Sequence, residues 1–186
     1  MITRSISPTQ PPRWQSLLAQ GVQGVDELLR LLRLDPAQAP YPIDRHSPFP
    51  LRVPRGFVDR MRPGDWADPL LRQVLPLGQE TILAAGFLLD PVGDGPSRRP
   101  GGVLHKYHGR ALMILTGACA IHCRYCFRRH FPYSEAHAAR SRWSEALAYL
   151  RDDANINEVI LSGGDPLSLP DEKLTELVAA LAEIPH

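Results

Sequence analysis

Two short apolar runs, Ala111-Leu112-Met113-Ile114-Leu115 and Glu158-Val159-Ile160-Leu161, do most to limit how this chain can fold. The first is apolar throughout and the second is apolar from Val159, so each is expected to be a strand buried on both faces. Each is followed by a loop and then by residues at helical spacing. The first such stretch is Trp143–Arg151, with Ser141 or Ser144 as cap. The second is Asp171–Ile184, with Leu174, Leu177, Val178, Leu181 and Ile184 on one face. Strand, loop and helix, twice over, predicts βαβα and so a parallel sheet or barrel with its working loops at the C-terminal strand ends. Two βα units do not close a barrel. Because the chain stops just after a helix, at His186, we expect the N-terminal portion of a partial α/β barrel, from a longer protein or a truncated reading frame.

The residues ahead of these units have a different texture. Residues 1–12 are polar and Pro-rich, expected as a frayed arm. Helical spacing runs from Trp14 to Leu34, with Asp26 as a cap. An extended, proline-punctuated connection follows over Pro36–Pro50, then a short helix around Gly56–Arg62. Asp68-Pro69 reads as an N-cap with proline at the first helical position, starting a helix over Leu70–Leu75. Leu89–Val103 is expected as a Gly/Pro-rich loop. The predicted domains are a helical region over 1–103 and the βα units over 104–186.

A formal charge of +1 provides no global field for nucleic acid. No apolar run approaches a membrane span of about 18 residues or a signal peptide, so a cytoplasmic location is expected. Cys119, Cys123 and Cys126 are the only cysteines and fall as Cys-x3-Cys-x2-Cys. An odd number in one short loop argues against a disulfide framework. Three thiolates at this spacing can hold three corners of a [4Fe–4S] cluster and leave one iron open to activate a small molecule. A zinc site completed by His122 or His130, stabilising a binding module, is the competing reading. It lacks the second Cys/His pair at a remote spacing.

The cysteine loop after the first strand, with Tyr125 before the third cysteine, resembles the radical S-adenosylmethionine (SAM) superfamily. Ser162-Gly163-Gly164-Asp165-Pro166 after the second strand resembles that superfamily's glycine motif. His105-Lys106-Tyr107-His108-Gly109-Arg110 and Cys126-Phe127-Arg128-Arg129-His130-Phe131-Pro132-Tyr133 are similar to the lysine 2,3-aminomutase family, in its branch that makes β-lysine for elongation factor P. The resemblance covers most of residues 26–186. It implies a (βα)6 radical SAM barrel and conversion of L-lysine to β-lysine with a [4Fe–4S] cluster, SAM and pyridoxal phosphate (PLP). Carried over by residue, it implies that Cys119, Cys123 and Cys126 ligate the cluster. Tyr125 would lie against the adenine of SAM, and Gly163, Gly164 and Asp165 at its methionine end. Arg128 would take the substrate carboxylate, and Lys106, Tyr107 and Arg110 would contact PLP. The Schiff-base lysine is expected beyond residue 186, because neither Lys106 nor Lys173 is suited to that role. The implied partners are lysine, a reductant protein such as flavodoxin or ferredoxin, and by pathway a ligase and elongation factor P. Homo-oligomerisation is left open. A radical SAM enzyme for another substrate and an inactive fragment are the other readings.

Overall fold

The computed structural model describes residues 14–136 and 140–186. They form two compact units. The first holds residues up to Glu80 together with Ile121–Arg124, and the second holds Thr81–Ala120 and Tyr125–His186.

The first unit is built from short helices. The helical spacing over 14–34 gives two, α1 (Trp14–Ala19) and α2 (Val25–Leu31), rather than one. Gly21 breaks them, because a Cβ there would crowd the carbonyl oxygens of Leu18 and Val53. Asp26 does not cap α2. The cap position is Gly24, and Asp26 lies inside the first turn, where its charge still suits the helix dipole. The helix predicted near 56–62 is the single turn α3 (Arg55–Val58), and the one predicted over 70–75 is α4 (Leu71–Val74). The cap position of α4 is Leu70 rather than Asp68, but Asp68 still braces the start of the helix: its Oδ1 accepts from the amides of Leu70 (2.8 Å) and Leu71 (3.0 Å). Leu28, Leu29, Val53, Leu71 and Val74 are fully buried in this unit's core.

The second unit carries a four-stranded sheet of β1 (Arg98–Arg99), β2 (Val103–Tyr107), β3 (Arg110–Thr116) and β4 (Glu158–Gly163), in that spatial order. The two predicted strands are β3 and β4, and they pair in parallel, with Leu112 opposite Ile160 and Ile114 opposite Ser162. β2 falls where a loop and a contact motif were expected. It pairs antiparallel with β3. Between β3 and β4 run α5 (Tyr133–Ala136) and α6 (Arg140–Asp152), and α7 (Asp171–Ala182) follows β4. α6 begins earlier than predicted and contains both cap candidates, so Ser144 is an interior residue. The expected N-terminal arm lies outside the described residues, as does the side chain of Ser141.

Side-chain alternation along the strands divides the sheet. Ala111, Met113 and Leu115 of β3, with Val159 and Leu161 of β4, pack with Ala146 and Leu150 of α6 and Leu177 of α7. Leu104, Leu112 and Ile114 pack on the other side with Phe131 and Tyr133. β3 is therefore covered on both faces, as its continuous apolar run predicts, whereas β4 is not: its residues are partly buried at most, and Ile160 is 36% exposed. Val178 of α7, expected on the buried stripe, is 52% exposed.

Candidate active site

The loops leaving β3 and β4 are tied together by backbone. The amide of Gly164 donates to the carbonyl of Thr116, and that of Asp165 to the carbonyl of Ala118, each at 2.7 Å. A Cβ on Gly163 would collide with the Thr116 carbonyl, and one on Gly164 with that of Ala118. Gly163 also has φ +130°, a conformation that side chains rarely adopt. Glycine is thus demanded at both positions by the backbone just before Cys119. Asp165 is spent locally: its Oδ1 accepts from Leu167 (3.0 Å) and caps the turn Pro166–Ser168.

The segment after the last cysteine lies over the face of the sheet that the helices leave. Arg128 is 8% exposed. Its Nε donates to Asp94 Oδ2 and its Nη1 to Ser162 Oγ, both at 2.9 Å. Its guanidinium carbon stands 4.9 Å from the Phe127 ring centre. The Tyr133 hydroxyl donates to the Gly163 carbonyl at 3.1 Å. Burial, then the negative charge that Cys126 would carry as a thiolate and more weakly those of Cys119 and Asp94, push the Tyr133 phenol up to about 12 against the pull of Arg128. At neutral pH it is therefore a proton donor. Asp94, Ser162 and Tyr133 had no role predicted from the sequence. Ser162 and Tyr133 stand inside recognised motifs, but nothing in the spacing of residues 89–103 points Asp94 at Arg128.

Arg110, Leu112 and Ile114 share a face with Glu158, Ile160 and Ser162, so Arg110 lies on the same side of the sheet as Arg128. It sits at the far end of the strands, and the four steps along the strand from Glu158 to Ser162 span about 13 Å. Arg110 pairs there with Glu158. Lys106 donates to the Val92 carbonyl and stands 5.7 Å from the ring centre of Tyr107, which is 58% exposed. Lys173 is exposed in the first turn of α7, among the helices that cover the opposite face. The residues present thus supply cations for a phosphate but no lysine placed for an imine. They fit only the phosphate side of a PLP site.

No disulfide joins the three cysteines, and all three are partly buried. Tyr125, beside Cys126, is 72% exposed. Cys119 and Cys126 belong to the second unit and Cys123 to the segment of the first. Chain length alone keeps Cys123 within about 14 Å of Cys119 and about 11 Å of Cys126. Among the described residues, no three His, Cys, Asp or Glu are already arranged to hold a metal ion. The donor set still fits a cluster, because three thiols on one loop are what an iron–sulfur cluster with an open iron takes.

Within the first unit, the segment 121–124 is pinned at several points. The His122 amide donates to the Arg52 carbonyl (2.9 Å) and its Nδ1 to that of Pro50 (2.9 Å), while its ring stacks on Phe49 at 4.7 Å. Burial holds the His122 imidazole below its ordinary pKa, and the cations Arg52 and Arg124 add to this, against the Pro50 carbonyl. The Arg124 amide donates to the Gln73 carbonyl (2.8 Å). Its guanidinium grips both carboxylate oxygens of Glu80 and the Phe49 carbonyl. The Arg124 and Glu80 side chains are only 7% and 13% exposed.

Residues 113–186 match the family model described as the Radical SAM superfamily. The L-lysine 2,3-aminomutase of Escherichia coli is 48% identical over 175 residues, covering 93% of this chain and 51% of that protein. The L-lysine 2,3-aminomutase of Haemophilus influenzae is 39% identical, covering 93% and 51%. That of Buchnera aphidicola is 38% identical, covering 100% and 55%. The chain therefore belongs to the lysine 2,3-aminomutase family of the radical SAM superfamily, and it spans about half the length of the curated relatives it matches.

Proposed function

We propose that this chain carries the cluster-and-SAM half of an L-lysine 2,3-aminomutase, an isomerase making β-lysine destined for elongation factor P. The observation that supports it most is the backbone pairing of the glycine loop with Thr116 and Ala118, directly ahead of the first cysteine. On this reading Cys119, Cys123 and Cys126 hold the cluster. The Gly163–Asp165 turn receives the methionine end of SAM and Tyr125 the adenine. Arg128 takes the carboxylate of lysine through its planar guanidinium. Lys106, Tyr107 and Arg110 serve the phosphate side of PLP. Bound there, a reduced cluster with SAM would supply a carbon radical strong enough to take an unactivated hydrogen.

The chain's own work is to hold and shield. Phe127, Phe131 and Tyr133 give the site an apolar wall, which keeps water and competing hydrogen donors out. Tyr133 keeps the Gly163 carbonyl occupied and so fixes the start of the turn. The sheet carrying these loops would be the start of a (βα)6 barrel. Lysine, an electron-donating protein and a ligase acting on the product complete the reading.

EPR on anaerobically reconstituted, dithionite-reduced protein tests it. A [4Fe–4S]⁺ signal that changes shape on adding SAM is the expected result. Zinc uptake without an iron–sulfur signal would point instead to a metal-stabilised binding module.

A further inference from the structure

Arg128 is held by more than a substrate would need, and its main holder is an acid in what the sequence reads as a plain loop. Its Nε is taken by Asp94 and its Nη1 by Ser162, while Nη2 makes no hydrogen bond among the described residues. Asp94 is itself only 7% exposed, and its backbone is fixed. Its amide donates to Asp90 Oδ1 (2.9 Å), the next amide, of Gly95, donates to Asp90 Oδ2 (2.8 Å), and its carbonyl accepts from Ser97 (3.1 Å). The amides of Gly95 and then Asp94 hold the Asp90 carboxyl below the usual carboxylate range, so this brace stays charged at neutral pH. A cavity of about 150 Å³ opens beside the pair, lined in part by Leu89, Phe127, His130 and Phe131.

We infer that Asp94 is a positioning residue that aims Arg128 and leaves one of its two hydrogen-bonding edges for a carboxylate. A guanidinium offers a side edge, Nε with Nη2, and an end edge, Nη1 with Nη2. Asp94 closes the side edge at Nε. Ser162 takes one of the two Nη1 hydrogens. Nη1 keeps its other hydrogen and Nη2 keeps both of its own, with the Phe127 ring 4.9 Å from the guanidinium carbon. A loosely held arginine loses rotamer freedom on binding a ligand, whereas this one has lost it already. Asp94 also balances the charge of Arg128, so the edge selects by geometry for one carboxylate rather than attracting anions at large. This rests on the reading of Arg128 as the carboxylate grip.

The test compares L-lysine with L-lysinamide, which lacks the carboxylate, by calorimetry on the 186-residue chain. It adds the ¹⁵N resonance of the Arg128 Nε–H as a reporter of the pair. Wild-type protein should prefer lysine by about tenfold, the worth of a charge-assisted hydrogen bond. Asp94→Ala should lose that preference and the protected Nε–H signal, with no change in lysinamide binding. Asp94→Asn, which keeps an oxygen facing Nε, should keep both within about threefold, a rescue that general destabilisation would not give. If lysine and lysinamide bind wild type equally, the carboxylate reading falls and this inference with it. If wild type discriminates and Asp94→Ala discriminates as well or better, only the role of Asp94 is overturned. Should Asp94→Ala not fold, loss of discrimination in a folded Asp94→Asn overturns it equally.

Discussion

A single methyl group tests the join between the two loops. In Gly164→Ala the new Cβ would meet the Ala118 carbonyl, which is backbone and hydrogen-bonded, so neither side yields easily. We expect a loss of about 2–4 kcal/mol in urea denaturation, from the overpacking and backbone-strain classes of substitution. From the sequence, these glycines could be read as a place of close approach, but not what approaches: in the structure it is the backbone of Thr116 and Ala118. Asp68 is the second residue to test. Burial disfavours its charge, but the amides of Arg62, Leu71 and Leu70 outweigh this and hold its pKa below the usual value. Its stabilisation is therefore complete above the unfolded value, near pH 4, and fades as pH falls through the lower folded value. Asp68→Ala should cost about 1–2 kcal/mol at pH 7 and less at pH 3, read from thermal melts at the two pH values. Asp68 was legible because a side chain that takes up the amides two and three residues on is a local device. Asp94 was not, since a pair 34 residues apart leaves no local trace.

At the scale of elements, β3 was legible because a strand buried on both faces writes an unbroken apolar run; β4 carries the same pattern although its residues are only partly buried. β2 was hidden. Its Val103 and Leu104 give way to His105, Lys106 and Tyr107, and a register shift interrupts its pairing with β3 between Leu104 and Tyr107. No period of two survives that. The segment 121–124 shows the same limit. Cys-x3-Cys-x2-Cys marks Arg124 only as one of the two residues between the second and third cysteines, yet Arg124 and Glu80 form a buried pair inside the first unit. Arg124→Ala would strand Glu80 and should cost about 3–5 kcal/mol in denaturant unfolding. Arg124→Lys should recover only part of it, because an ammonium cannot reproduce the fork onto both oxygens. Acidification acts on the same segment. His122 is held neutral, so stability there falls as pH drops below its unfolded value near 6.5, and His122→Gln should flatten that slope.

At the scale of the whole molecule, residues 82–92 display a run of uncovered apolar side chains. Leu83 is 93% exposed, Phe87 82% and Leu88 75%. A patch of this kind is a liability in water. Leu83→Lys with Phe87→Ser should lower light-scattering mass and dye binding at high protein concentration while leaving the melting temperature within about a degree, since exposed substitutions rarely move stability. None of the described helices is long and apolar enough to cross a membrane. The amides of Gly164 and Asp165 are the points where one motif loop hangs on the other. Their hydrogens can exchange with solvent only when that junction opens. Deuterium uptake at these two positions therefore reports from a distance whether the cysteine loop is ordered, and filling that loop should slow both by the same factor.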